Sequence, residues 1–215
     1  GNTTGILTLT NSSTAATGVS IASGASLTAA NVSNAAGSSI ENDGTLASTL
    51  TPLQNAGKLV STGTLSGGLA NSGAGSATLK GTVNGNVLNQ DSAALKIDGD
   101  LTLDNHTLTN SGAATILVDN GILLDISALT NSSNSAAGIE IKSGAALAAT
   151  GIINNSGATL TNGGVIYSTN VIQNSGTLKN INFGVINGGV TNTGFLSSTG
   201  TLTGTVTNSG VSDIS

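Results

Sequence analysis

Apolar and polar residues alternate along this chain in short runs, each closed by Asn, Gly or Ser. Ile6-Leu7-Thr8-Leu9-Thr10 is one such run, and Thr201-Leu202-Thr203-Gly204-Thr205-Val206-Thr207 is another. Ile139 and Ile141 flank Glu140, and Ile181, Phe183 and Val185 alternate with Asn182 and Gly184. A period of two sends one set of side chains inward and the other outward, as in a half-buried strand. Helical spacing is not sustained anywhere, and the frequent Gly and β-branched residues oppose it. The pattern predicts an all-β chain of strands three to five residues long.

The runs recur with a longer beat. Asn followed by small residues and then Gly or Ser appears at Asn11, Asn34, Asn55, Asn71, Asn89, Asn110, Asn131, Asn155, Asn174, Asn192 and Asn208, a mean spacing of about 20 residues. That unit is too short for a propeller blade or a helical hairpin, but it fits one coil of a solenoid. Asn-Ser-Gly and Asn-Gly tolerate positive φ and so mark the corners. Asn-Gly is also a hairpin signal, but a beat of coil length favours stacking, which would set successive Asn side chains in a ladder. The expected fold is a right-handed parallel β-helix of about ten coils of roughly 20 residues.

A second repeat lies over the first. Residues 11–46 and 131–166 align without gaps at an offset of 120 with 15 identities in 36, including Gly18/Gly138, Ile21/Ile141, Leu27/Leu147 and Gly44/Gly164. An offset of 120 is about six coils. Residues 11–130 therefore read as one superunit and 131–215 as a partial second, all within a single domain, 1–215. Pro52, the one proline, interrupts the correspondence and belongs at a corner or in a small bulging loop, since it cannot donate to a central ladder.

Composition sharpens the picture. Apolar residues are 37 %, nearly all Ala, Val, Ile and Leu, with two Phe, one Tyr and no Trp, Met or Cys. A narrow core walled by backbone has no need of aromatic bulk, so Phe183 and Phe195 are expected where the core widens, and Tyr167 with its hydroxyl at the surface. Charged residues are 7 %, against a usual figure of about 25 %. Solubility must come from Asn, Ser and Thr. Disorder is disfavoured, because its signature is low hydrophobicity with high charge. Five Lys, no Arg and a net charge of −5 give no footprint for nucleic acid. No run approaches a membrane span, and Gly1 opens without a basic or apolar leader pattern, as expected of a mature or excised segment.

Asn-Ser-Gly-Thr-Leu at 174–178, Gly-Gly-Val-Thr-Asn-Thr-Gly at 188–194 and Thr-Leu-Thr-Gly-Thr-Val-Thr-Asn-Ser-Gly at 201–210 resemble the passenger repeats of autotransporter adhesins and filamentous-haemagglutinin-like proteins. The resemblance covers essentially the whole chain. It implies export, display on a bacterial cell surface, and adhesion or self-association; the expected partners are a receptor or glycan, or further copies joined end to end through unpaired strand edges.

Parallel β-helices also carry polysaccharide-degrading enzymes. Glycoside hydrolysis needs two placed carboxylates, and the only Glu are Glu41 and Glu140, in corresponding places of the two superunits and so far apart. Asp91, Asp98, Asp100, Asp104, Asp119 and Asp125, with Lys96 and His106 nearby, form the one charged concentration. Asp98-Gly99-Asp100 followed by Asp104 faintly resembles an oxygen-ligand calcium site, but the spacing fails an EF-hand. Solvated Asp on turns and outward positions is the simpler reading. His106 has no partners for metal or triad chemistry and is expected to face outward. No catalytic, cofactor-binding or metal-binding set is assigned, and no enzyme is expected. Thr-x-Thr at Thr8/Thr10, Thr107/Thr109, Thr159/Thr161, Thr201/Thr203 and Thr205/Thr207 raises an ice-binding alternative, against which stands the uneven spacing.

Overall fold

A computed structural model describes residues 2–215; Gly1, whose leader reading belongs to the sequence alone, lies outside the described residues. Every regular element among the described residues is a strand, and every strand pairing is parallel. The chain winds as a β-solenoid of about 11 turns, with equivalent positions ~19 residues apart. Each turn contributes to three faces in order, as in Ile139–Ile141 on the first, Ala146–Ala149 on the second and Gly151–Asn154 on the third, before Thr159–Asn162 returns to the first. Strands are longer than three to five residues where pairing runs through a corner, up to Ala94–Gly112.

The core is three columns of inward aliphatic side chains. On the first face Ile40, Leu59, Ala77, Leu95, Ile116, Ile139, Leu160, Leu178 and Leu196 stack in register, all 2 % exposed or less. The third face stacks Leu53, Leu69, Val87, Leu108, Leu129 and Ile152 in the same way. Neighbouring coils lie about 4.8 Å apart, and the buried section between backbone walls is filled by aliphatic side chains.

At the end of each third-face strand the period of two turns an asparagine inward. Asn11, Asn34, Asn55, Asn71, Asn89, Asn110, Asn131, Asn154, Asn174 and Asn192 each donate a side-chain hydrogen bond from Nδ2 to Oδ1 of the next asparagine, ending at Asn208, over 2.6–3.1 Å. The second Nδ2 hydrogen goes to a backbone carbonyl at the following corner, such as Lys58 for Asn34, Thr115 for Asn89 and Thr159 for Asn131. Each buried amide therefore ties one coil to the next and closes a corner. The ladder member in the eighth coil is Asn154, whereas the repeat reading pointed to Asn155. Asn155 instead turns outward and donates to Ser132 Oγ. Nor do the ladder asparagines turn the chain by positive φ; among the described non-glycine residues that backbone occurs at Asp91, Asp104, Asn105, Asp125 and Asn182.

A second, broken ladder stands at the end of the first face. The column runs Ile21, Asn42, Ser61, Leu79, Ile97, Val118, Ile141, Asn162, Asn180, Ser198 and Ile214. Asn42 donates to Ser61 Oγ, Asn162 to Asn180 Oδ1 and Asn180 to Ser198 Oγ. Asn42 Oδ1, beside the aliphatic Ile21, has no donor. The polar stretches begin 120 residues apart, at Asn42 and Asn162, as do Asn11 and Asn131, six rungs apart in the main ladder.

Corners demand glycine where coils touch backbone to backbone. A Cβ on Gly194 would run into the carbonyl oxygen of Gly176, and one on Gly210 into that of Gly194. Pro52 lies in the loop Thr49–Pro52 between the second and third faces, and its carbonyl accepts from Gln54 Nε2. Residues 181–184 depart from expectation. Asn182 takes φ 57 and the segment is a turn, so Phe183 sits on its tip, 95 % exposed, instead of in the core. Phe195 also points outward, half-buried on the first face, because the inward place beside it belongs to Leu196. Tyr167 is outward, as expected.

Replacing Asn110 with Ala removes a donor and an acceptor from two buried neighbours, and unpaired buried groups cost about 1–3 kcal/mol each. Thermal or urea unfolding followed by circular dichroism should show Asn110→Ala losing about 2–4 kcal/mol, comparable to the ~2–5 kcal/mol of Leu129→Ala. Asn155→Ala, one place off the ladder, should change stability by less than about 0.5 kcal/mol.

Candidate functional site

The outer surface carries the chemistry, and the register assigns it. Glu41 and Glu140 stand in one outward column of the first face with Val60, Thr78, Lys96 and Leu117 between them. Five coil steps separate the two carboxylates by ~24 Å, far beyond the roughly 5–9.5 Å of paired glycosidase carboxylates. The Thr-x-Thr pairs divide among the faces. Thr159/Thr161 are on the first, Thr201/Thr203 on the second, and Thr8/Thr10, Thr107/Thr109 and Thr205/Thr207 on the third. Even within the third face the outward column passes through Thr10, Ser33, Gln54, Ala70, Leu88 and Thr109, so no continuous threonine face forms.

The aspartates scatter in role. Asp119 and Asp98 both pair with Lys96, at 2.8 and 3.4 Å, and the hydrogen bond that the Lys96 ammonium donates to Asp119 raises the Lys96 pKa above its ordinary value. Glu140 acts likewise on Lys142 at 2.9 Å. Asp100 Oδ1 accepts the backbone N–H of Ile122, and Asp91, itself at φ 62, accepts that of Gly73. Among the described residues no three His, Cys, Asp or Glu side chains converge as metal ligands, so Asp98, Asp100 and Asp104 do not come together. His106 is half-buried, with Nδ1 2.9 Å from the carbonyl oxygen of Leu103.

Geometry joins two residues of this group that spacing left unpaired. Between the second and third faces a groove of about 410 Å³ is lined by Asp104, Asn105, Asp125, Thr150, Tyr167 and Thr169, over a floor of Ile126, Ala148 and Ala149. It crosses four successive coils. Asp104, Asn105 and Asp125 all have left-handed backbone, at φ 48, 62 and 56. They sit where the register slips: Thr102 pairs with Leu124 and His106 with Ile126, so three residues on one coil face one on the next. The excess chain bulges outward and carries the side chains with it. Two other surface depressions, of about 420 and 230 Å³, lie over small residues such as Ala36, Gly37 and Ala56 and beside Leu7 and Thr28, and neither joins a carboxylate to an aromatic ring.

Compared with protein-family models, curated proteins and solved structures, the chain finds no match in any of the three.

Because the aspartates are held by Lys96, by backbone N–H groups and by turn geometry, calcium has no assembled shell to complete. Melting curves recorded with millimolar calcium and with chelator should superimpose; a rise of several degrees with calcium would reveal ligands that gather around the ion.

Proposed function

We propose that this chain is a rigid, non-catalytic rod of a secreted bacterial surface protein, serving adhesion or self-association. The observation that carries the reading is the amide ladder, buried from Asn11 to Asn192 and ending at the exposed Asn208, which couples each coil to the next. A body of about 11 turns at about 4.8 Å per coil is on the order of 50 Å long. Bending it would stretch amide bonds and separate inward columns at once, so its work is to hold a surface at a distance and in a fixed orientation.

The surface it holds is suited to contact. Outward columns are rich in Ser, Thr, Asn and small apolar residues, and charges are few and partly paired with one another, which leaves little long-range field to repel a cell or another rod. The runs at 174–178, 188–194 and 201–210 that resemble surface-adhesin repeats support the same reading, and with it display at the cell surface. Parallel strand edges offer a route to filaments: wherever such a stack stops, its open N–H and C=O groups can pair with a further coil or with another copy. Display of a receptor- or glycan-binding face is the companion role.

Electron microscopy of the purified chain at rising concentration tests shape and association together. Straight rods are expected at every concentration, and filaments with a repeat near 50 Å would make self-association the primary role. Compact or flexible particles would overturn the rod.

A further inference from the structure

The groove at the corner of the second and third faces has the chemistry of a binding site, and it deepens the adhesive part of the reading above. Its lining is mixed in a particular way. Tyr167 is half-exposed on the second face and pairs in register with Ala148. Ala148 stands beside it on one coil and Asn187 on the next, so a methyl group flanks the tyrosine on the groove side, where Tyr167 itself joins the lining. Along it stand the carboxylates of Asp104 and Asp125, the amide of Asn105 and the hydroxyls of Thr150 and Thr169. The four coils it crosses give a length of ~14 Å.

We infer that this groove binds a neutral oligosaccharide, with the Tyr167 ring against the C–H face of one sugar and Asp104, Asp125 and Asn105 hydrogen-bonding the hydroxyls of its neighbours.

The alternatives fit the lining less well. An anionic sugar would meet two carboxylates, and no Lys lines the groove to offset them. An apolar ligand would strip water from both carboxylates without replacing their hydrogen bonds. A bare calcium ion needs six to eight oxygens, and fewer than three acidic or imidazole groups gather here. Sugars supply what the site asks for: hydroxyl donors for the carboxylates, acceptors for the Asn105 amide and the threonines, and a weakly polar face for the ring. The irregular backbone at Asp104–Asn105 and Asp125, where the register slips and φ is positive, leaves these three side chains exposed along the groove.

The test is binding of the whole chain to a panel of neutral and sialylated tri- and tetrasaccharides, by titration calorimetry and on an immobilised array. At least one neutral member should bind with a dissociation constant between about 10 µM and 1 mM, a free energy of roughly −4 to −7 kcal/mol. Tyr167→Ala should weaken it at least about tenfold, Tyr167→Phe should retain it within about threefold, and Asp125→Asn should weaken it without changing the circular dichroism. Both positions are exposed, so the three variants keep the fold. Salt should have little effect. No binding by any neutral member up to about 10 mM, equal binding by Tyr167→Ala, or binding by the sialylated members alone would each overturn the inference. Straight rods in the microscope with no saccharide bound would overturn this site alone and leave the rod standing.

Discussion

A buried primary amide must satisfy two donors and an acceptor, and along this ladder each asparagine does so with the same amide one coil away and with backbone groups at the corners. That requirement fixes the geometry. If a coil slipped by one residue, its asparagine would turn to the solvent and an outward residue would enter the core. Two neighbours would also lose hydrogen bonds. Aliphatic columns supply most of the burial, but Leu, Ile and Val are interchangeable in a column at small cost. The asparagine is not, so it is the asparagine that sets register. Coil length is then free to vary, from 16 residues between Asn55 and Asn71 to 23 between Asn11 and Asn34, because extra residues leave at corners without disturbing the ladder.

The corners are therefore where the chain can change without unfolding. Short coils close with glycine packed against backbone, as at Gly194. Long coils expel a bulge, and the bulge bearing Asp104 and Asn105 is the place where a uniform surface acquires relief. The rod and the groove are thus two outcomes of one rule, strict register at the asparagine and tolerance at the turns.

Much of this was legible in the sequence, and the reasons for the rest are physical. The beat of asparagines carried the solenoid because the ladder admits no other residue with the same pair of donors and acceptor. Choosing Asn155 over Asn154 followed from reading the Asn-Ser-Gly triplet as a turn; the offset of 120, which sets Asn34 against Asn154 and Asn42 against Asn162, held the better signal. Phe183 was misplaced because alternation through Gly184 looks like a strand, whereas Asn182 breaks it with a left-handed turn. The groove could not be read from spacing. Asp104 and Asp125 are 21 residues apart, one coil, yet so are many pairs, and only the register slip at His106 turns these two outward beside a tyrosine from two coils further on.

The ladder also has a direction. In each of its ten bonds the amide hydrogen comes from the earlier asparagine and the oxygen from the later one. Parallel backbone pairing sends N–H groups both up and down the stack, so its dipoles largely cancel along the axis. The amide dipoles do not cancel. Each is similar in size to the ~3.5 D of a peptide unit, and in a file they polarise one another. The rod is consequently an electrical arrow, with partial positive charge toward its C-terminal end and partial negative charge toward its N-terminal end, running through a molecule whose surface is almost without charge.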